Sequence, residues 1–160
     1  MKVTVLAVGR VKGLLEAPVQ DFERRAGHYW KLDIVEVEAG GPKGGDKSPE
    51  AVRVAEGERL DRRIPPGTDV VVLTRRGKAI SSVELARYLA EQGVRSSPGV
   101  TFVLGGAFGL GDALLAKASK KLALSPMTMP HEMARLVLAE QLYRAGTILK
   151  NEPYHKGSAT

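Results

Sequence analysis

Three short segments that contain glycine, proline or small polar residues each lie at the end of an apolar run, and ligand chemistry is most readily placed there. They span residues 73–78 (LTRRGK), 105–111 (GGAFGLG) and 124–131 (LSPMTMPH). Glycines allow a ligand to approach the backbone closely. The second segment fits neither phosphate-binding template, because Asp112 follows its last glycine where a P-loop needs lysine, and Ala107 replaces the second glycine of a dinucleotide turn. A kinase or a dehydrogenase is therefore disfavoured, and a tight strand-to-helix turn is the alternative to a binding loop.

The third segment contains two prolines, Pro126 and Pro130, within five residues. Prolines fix the backbone while the neighbouring amides and carbonyls remain available to a ligand. A rigid and mostly uncharged loop suits adenine and a thioether better than a triphosphate. The alternative is a stiff lead into the last helix, with Pro130 as its first residue.

The titratable candidates lie near the C-terminal third of the chain. His131 begins the last predicted helix, where the helix dipole favours a neutral imidazole that can accept a proton, although a structural cap is the alternative. The tail Pro153-Tyr154-His155-Lys156 combines an aromatic ring, a titratable ring and a cation, which suits RNA, although a frayed terminus is the alternative. The sequence has no cysteine and three histidines without metal-ligand spacing, so we expect no metal.

Five apolar runs alternate with segments of helical periodicity, a pattern typical of one α/β domain, here residues 1–160, with a mostly parallel sheet flanked by helices. The predicted strands are 3–8, 33–38, 70–73, 100–104 and 122–124, and the predicted helices lie around 19–30, 48–63, 81–92, 112–119 and 131–150. Ligands of such sheets bind outside the carboxyl ends of the strands, which is where the three segments fall. The wide apolar face of the last helix predicts core packing on one side and a subunit partner on the other.

The formal net charge is +6 and the pI is about 9.7. Residues 1–66 hold 12 basic and 11 acidic side chains, whereas residues 67–160 hold 12 and 7. A polyanionic partner would meet the second part, although solvated surface charge explains the excess equally well. No apolar stretch reaches the ~18 residues of a membrane span, and no signal peptide is recognisable. We therefore expect a cytoplasmic protein that does not contact membranes.

The segments and the tail together resemble the ribosomal large-subunit pseudouridine N3-methyltransferases of the SPOUT, or trefoil-knot, class. The resemblance covers essentially the whole chain and is carried by Leu6 to Gly9, Leu73 with Gly77-Lys78, Phe102 to Gly106, Gly109-Leu110, Leu124 to His131, Arg135, Glu140 to Ala145 and Pro153 to Lys156. It implies a homodimer with a C-terminal trefoil knot that holds S-adenosylmethionine. It also implies that the substrate is a pseudouridine of 23S ribosomal RNA and that the enzyme acts on it within the assembled ribosome.

The resemblance also assigns roles to individual residues. Cofactor contacts fall on Leu73, Gly105, Leu124, Ser125, Pro126, Met127, Thr128 and Met129. Candidate proton acceptors or positioners are His155, Tyr154 and His131, and candidate stabilisers of the substrate's charge are Arg135, Arg144 and Lys156. Arg144, Lys156, Arg75 and Arg76 are further expected to contact RNA. A non-enzymatic ribosome-associated RNA binder is the alternative, since it would share the charge and fold without needing the glycine and proline loops.

Two features depart from the family pattern. Thr74 stands where an acidic residue commonly follows the leucine, so any role of that carboxylate is lost here. Gly157 to Thr160 extend the chain beyond the position where the family usually ends. A terminal carboxylate next to Lys156 is therefore not expected.

Overall fold

A five-stranded parallel sheet with helices on both faces forms the framework of the protein in a computed structural model that describes residues 1–156. The added residues Gly157 to Thr160 lie outside the described part of the chain. The elements in chain order are β1 Lys2–Val8, α1 Glu16–Ala26, β2 Lys31–Val37, α2 Pro49–Asp61, β3 Asp69–Ala79, α3 Ser82–Val94, β4 Val100–Leu104, α4 Asp112–Lys117, β5 Lys120–Ala123 and α5 His131–Leu149. The predicted alternation of strands and helices in an α/β domain is confirmed.

The strand order is β2-β1-β4-β3-β5, and every pairing between neighbours is parallel. β1 and β4 lie at the centre, where Val5 pairs with Phe102, and their residues are almost all buried. Both faces of these strands are apolar because helices cover both. β2 lies on one side of β1, and the later strands β4, β3 and β5 lie on the other side. The strand order therefore reverses between β1 and β4, which makes this the topological switch point.

Two apolar layers hold the helices on the sheet. One contains Phe102, Leu138 and Leu142 beneath α1, α3 and α5, and the other contains Leu60 and Val72 beneath α2 and α4. The indole N–H of Trp30 also donates to the carbonyl oxygen of Leu142 at 2.8 Å. The two layers therefore enclose one sheet and make a single domain.

Strand β3 continues beyond the predicted end at residue 73. It runs to Ala79 through an irregularity, because Leu73 and Lys78 both pair with Leu122 of β5. The four residues between them form a large bulge over β5, and an added Cβ on Gly77 would lie 2.7 Å from the Leu122 backbone. Segment 73–78 is thus a bulge inside a strand rather than a strand-end loop, and glycine is needed where it crosses β5.

Helix α5 packs between α1 and α3 along its length. Leu138 and Leu142 are fully buried, whereas Met133 and Leu149, which share their predicted apolar arc, are 38% and 40% exposed. Pro130 is the N-cap of this helix rather than its first residue. The helix therefore buries one face in the core and presents apolar side chains at the outer side of both ends.

Candidate active site

The three predicted binding segments meet at one edge of the sheet. They follow or interrupt β4, β3 and β5, which are adjacent and parallel, so their carboxyl ends point the same way. Arg75 Nη1 donates to Thr128 Oγ1 at 3.3 Å and joins the β3 bulge to the segment after β5. The structure thus brings the predicted cofactor residues Leu73, Gly105 and those from 124 to 129 onto neighbouring segments.

The glycine-rich segment after β4 is closed by its own backbone. Gly109, with φ of +77°, donates its N–H to the Gly106 carbonyl at 3.0 Å. An added Cβ on Gly105 would lie 2.7 Å from the Gly109 carbonyl carbon and 3.0 Å from the Leu110 nitrogen. The turn itself leaves no room for a side chain at 105, so the backbone requires glycine there, and the predicted cofactor contact of Gly105 stays a prediction.

The segment after β5 is a tight, mostly exposed loop. Ser125 Oγ accepts the N–H of Met127 at 3.0 Å, and the Met127 side chain is 77% exposed. Leu124 and Met129 are half-buried on either side of it. This loop presents uncharged and apolar atoms to any ligand held at the sheet edge.

Arg135, a predicted stabiliser of substrate charge, lies one turn into α5 and is bound to two carboxylates. Its Nη2 lies 3.2 Å from Glu23 Oε1 of α1, and its Nη1 lies 2.5 Å from Glu36 Oε2 of β2. The Arg135 side chain is only 8% exposed. Burial raises the pKa of Glu23, and the hydrogen bond and charge of Arg135 offset this only in part. The guanidinium thus serves an internal ion cluster, and its bonded nitrogens are not free for a substrate.

A second cluster forms where the tail folds back on the end of α5. Arg144 donates to Glu140 Oε1 from Nε at 3.0 Å and from Nη2 at 2.6 Å, and its Nη1 lies 3.1 Å from His155 Nδ1. The Tyr154 hydroxyl donates to the same Glu140 oxygen at 3.0 Å, and the Arg144 guanidinium lies 4.8 Å from the Tyr154 ring centre. Lys156 beyond them is exposed. The tail up to Lys156 is therefore anchored rather than frayed.

The hydrogen bonds of this cluster set the proton positions. A guanidinium can only donate, so His155 Nδ1 accepts from Arg144 and the proton of the neutral ring sits on Nε2. Burial and the hydrogen bond to Glu140 raise the pKa of Tyr154, so its hydroxyl stays protonated at neutral pH. Both side chains were predicted as proton acceptors or positioners, and this geometry presents them as hydrogen-bond donors.

The predicted catalytic residues form two groups at opposite ends of α5. His131 and Arg135 lie at its start, next to the loop after β5, whereas Arg144 lies near its end with Tyr154 and His155. Arg135 and Arg144 are nine residues apart, which is about 14 Å along a helix. One nucleobase cannot contact both groups within one chain.

Sequence reasoning missed the carboxylates that organise both groups. Glu140 precedes Arg144 by four residues, a spacing that pairs opposite charges on a helix and was visible in the sequence. Glu23 and Glu36 are 112 and 99 residues from Arg135, and no local pattern links them. Glu56 of α2 was also missed; it is 3% exposed and accepts the Gly40 N–H at 2.9 Å.

No group of three potential metal-ligating side chains comes together among residues 1–156. No helix in this range combines the length and apolarity that crossing a membrane requires.

The chain belongs to the SPOUT methyltransferase family. The model of that family, described as "Predicted SPOUT methyltransferase", matches residues 1–155. A probable methylase family protein from Haemophilus influenzae superposes with a TM-score of 0.52 at 15% identity, over 99% of this chain and 72% of that one. This likeness supports the fold alone.

Within this family, the chain is similar over nearly its whole length to relatives that share one name. The chain is 48% identical to a protein of Gemmatimonas aurantiaca over 98% of its own length and 100% of the relative's. It is 44% identical to a protein of Syntrophotalea carbinolica over 97% and 99%, respectively. Both relatives are named ribosomal RNA large subunit methyltransferase H.

Proposed function

We propose that this protein is a cytoplasmic enzyme that transfers a methyl group from S-adenosylmethionine to N3 of a pseudouridine in 23S ribosomal RNA, within the assembled ribosome. The observation that carries the proposal is the convergence of the three segments, which hold no charged side chain apart from Arg75, Arg76, Lys78 and His131, at the carboxyl edge of β4, β3 and β5 in a SPOUT chain. Its relatives bear the name of large-subunit RNA methyltransferases. A non-enzymatic RNA binder would not need this edge.

The residues at this edge fit a sulfonium cofactor. Met127 is exposed, and Leu73, Leu124 and Met129 are half-buried, so apolar surface is available to an adenine ring and a thioether. The Gly105 and Ser125 turns bring backbone polar groups to the same edge. Backbone contacts would then orient the cofactor without burying a charged side chain.

The chain's own residues would supply charge stabilisation for the reaction. Bound S-adenosylmethionine would provide an electrophilic sulfonium methyl. N3 of the base becomes nucleophilic when its imide proton leaves, and the resulting negative charge spreads onto the two flanking carbonyl oxygens. Arg144 is 25% exposed and keeps N–H groups on Nη1 and Nη2 beyond those that bond Glu140 and His155, so these and the Nε2–H of His155 are donors suited to those oxygens. Holding N3 in line with the methyl provides much of the remaining rate.

The acceptor of the imide proton is assigned by elimination among the predicted residues. Tyr154 and His155 are arranged as donors in the tail cluster. His131 lies at the start of α5, with its Nε2 3.9 Å from Glu132 Oε1 and its side chain 37% exposed. We assign His131 or solvent as the acceptor, because a strong base is not required once the anion is stabilised.

A homodimer resolves the separation between the two groups of site residues. In an isologous dimer the same surface contacts itself, so an antiparallel pair of α5 helices would place the end of one beside the start of the other. Met133 and Leu149 offer exposed apolar side chains at the two ends of this helix. The proposed site therefore takes its cofactor segments from one subunit and Arg144, Tyr154 and His155 from the other.

RNA binding is proposed to use basic side chains near the same edge. Arg75 and Arg76 lie exposed on the β3 bulge, and Lys156 is exposed at the end of the tail. These residues lie in the part of the chain with the net positive charge. Phosphate contacts would position the RNA and make its binding depend on salt.

Calorimetry with S-adenosylmethionine and methyl transfer to ribosomes test the proposal together. We expect saturable cofactor binding by the wild type and its loss in Gly105→Ala, whose Cβ would collide with the turn at Gly109. Gly93→Ala is the matched control, because its Cβ meets no atom within 4 Å. An absence of saturable heat for the wild type would favour the RNA-binding alternative.

A further inference from the structure

A partly enclosed cleft of about 330 Å³ lies beside the Arg135 ion cluster and receives no residue from the three proposed cofactor segments. Its volume is at the small end of the range of ligand pockets, about 300 to 1,000 Å³. Cationic donors and carboxylate acceptors line it together, whereas the three cofactor segments contain no acidic side chain. The polar side chains are Arg10, Glu16, Gln20, Glu23, Glu36 and Arg135.

The cleft adjoins the proposed site of methyl transfer. Arg10 follows the carboxyl end of β1, and β1 is the neighbour of β4 at the topological switch point, where ligands of open sheets bind. Arg135 comes four residues after His131, about 6 Å along the helix. His131 begins α5 immediately after the proposed cofactor segment. A ligand in the cleft would thus lie next to a cofactor held at β4, β3 and β5.

The rim of the cleft carries polar atoms that the ion cluster does not use. Oε2 of Glu36 accepts a hydrogen bond from Arg135, and the Glu36 side chain is 32% exposed. Arg10 is exposed and makes no side-chain hydrogen bond or ion pair with residues 1–156. Because Arg135 is buried and also held by Glu23, the carboxylate of Glu36 is kept in a fixed orientation. The cleft therefore offers one oriented acceptor and one available cationic donor.

We propose that this cleft receives the target nucleobase, with Glu36 accepting a ring N–H and Arg10 donating to a ring carbonyl oxygen. This inference rests on the proposed function and specifies its substrate subsite. Pseudouridine is joined to ribose through carbon and keeps an N1–H that uridine lacks. A site built to hydrogen-bond such a group rejects the analogue without it, and a flipped base can be read this way. Glu36 would then be the residue that distinguishes pseudouridine from uridine.

The test measures single-turnover methyl transfer to two preparations of ribosomes, one with pseudouridine and one with uridine at the target position. The wild type should prefer pseudouridine. Glu36→Gln should slow transfer to pseudouridine by about tenfold to a hundredfold, the loss expected for one charge-assisted hydrogen bond, and should reduce the preference. Cofactor affinity should stay within twofold of the wild type, about the resolution of the measurement. Glu50→Gln on α2, the same chemical change outside the cleft, should match the wild type.

A second variant guards against misfolding, because Glu36→Gln removes an ion-pair partner of Arg135. Arg10→Ala breaks no side-chain hydrogen bond or ion pair within residues 1–156 and should also slow transfer about tenfold. If the wild type methylates the ribosomes and both variants keep its rate and its preference for pseudouridine, the proposal that the cleft binds the nucleobase is wrong. The proposed function would still stand. If the wild type methylates neither preparation, the proposed function fails and this inference fails with it.

Discussion

Each end of helix α5 has a cluster centred on an arginine, and the two arginines differ in their burial and in their bonding partners. Arg135 near the start is buried and shared by Glu23 and Glu36, which come from distant parts of the chain. Arg144 near the end is 25% exposed and bonded to Glu140 one turn away and to His155 of the tail. The first arrangement fixes the fold around a cleft, and the second leaves N–H donors that we propose for the substrate. The difference predicts that substitution of Arg135 itself alters stability first, whereas substitutions in the tail that bonds Arg144 alter catalysis.

Removal of the tail should have the largest effect on activity. A chain ending at Lys150 loses Tyr154 and His155, so methyl transfer should fall by at least about a thousandfold, as expected when more than one charge-stabilising donor is lost. Circular dichroism and calorimetry should still show a folded protein that binds S-adenosylmethionine. A chain ending at Lys156 is the control and should remain active. Wild-type activity in the chain that ends at Lys150 would show that the tail has no role in catalysis.

Substitution of Arg135 should have the largest effect on stability. Arg135→Met leaves the carboxylates of Glu23 and Glu36 without their partner, and the loss should be about 3 to 5 kcal/mol in the free energy of unfolding. Burial raises the pKa of Glu23. Without Arg135, the free energy of unfolding should therefore be largest below the ordinary glutamate pKa and should fall as pH rises through the pKa of Glu23 in the folded protein. Urea unfolding should therefore show a smaller deficit at pH 5 than at pH 7. An equal deficit at both values would contradict the ion-cluster account.

Point changes in the tail should have intermediate effects. His155→Ala removes a proposed donor to the substrate anion and should slow single-turnover transfer by about a hundredfold. Tyr154→Phe loses the bond to Glu140 and should cost about tenfold or less. Because the pKa of Tyr154 is raised, the pH profile should keep its shape in this variant. Wild-type rates in both variants would refute the tail assignment, and a shifted profile in Tyr154→Phe would restore that residue as a proton acceptor.

Substitution of one surface arginine should have the smallest effect. Arg76→Ala should weaken ribosome binding and reduce its dependence on salt by about one unit in the log–log slope. Arg63→Ala, which removes an exposed charge after α2, is the control and should leave the slope unchanged. Binding measured at several salt concentrations distinguishes the two variants. Equal slopes would remove the β3 bulge from the RNA-binding surface.

The sequence predicted those parts of the molecule that rest on local patterns. Periodicity located every strand and every α-helix of residues 1–156, but not the 3₁₀ helix Gly13–Leu15, and the family motifs located the tail. The continuation of β3 to Ala79 was missed, because Arg75, Arg76 and Gly77 indicate a loop and only pairing with Leu122 extends the strand. The partners of Arg135 were missed because they are joined to it by the fold alone. The knotted threading and the dimer remain predictions.

In the proposed dimer, one site combines the cofactor segments of one subunit with the tail of the other, and mixing two inactive variants tests this arrangement. One is Gly105→Ala, with a damaged cofactor segment and an intact tail, and the other ends at Lys150. Equal mixing after dissociation should form mixed dimers in half of the population, each with one complete site. Methyl transfer should then recover to about a quarter of the wild-type rate. No recovery, with mixed dimers demonstrated by mass spectrometry, would show that each site uses the tail of its own chain.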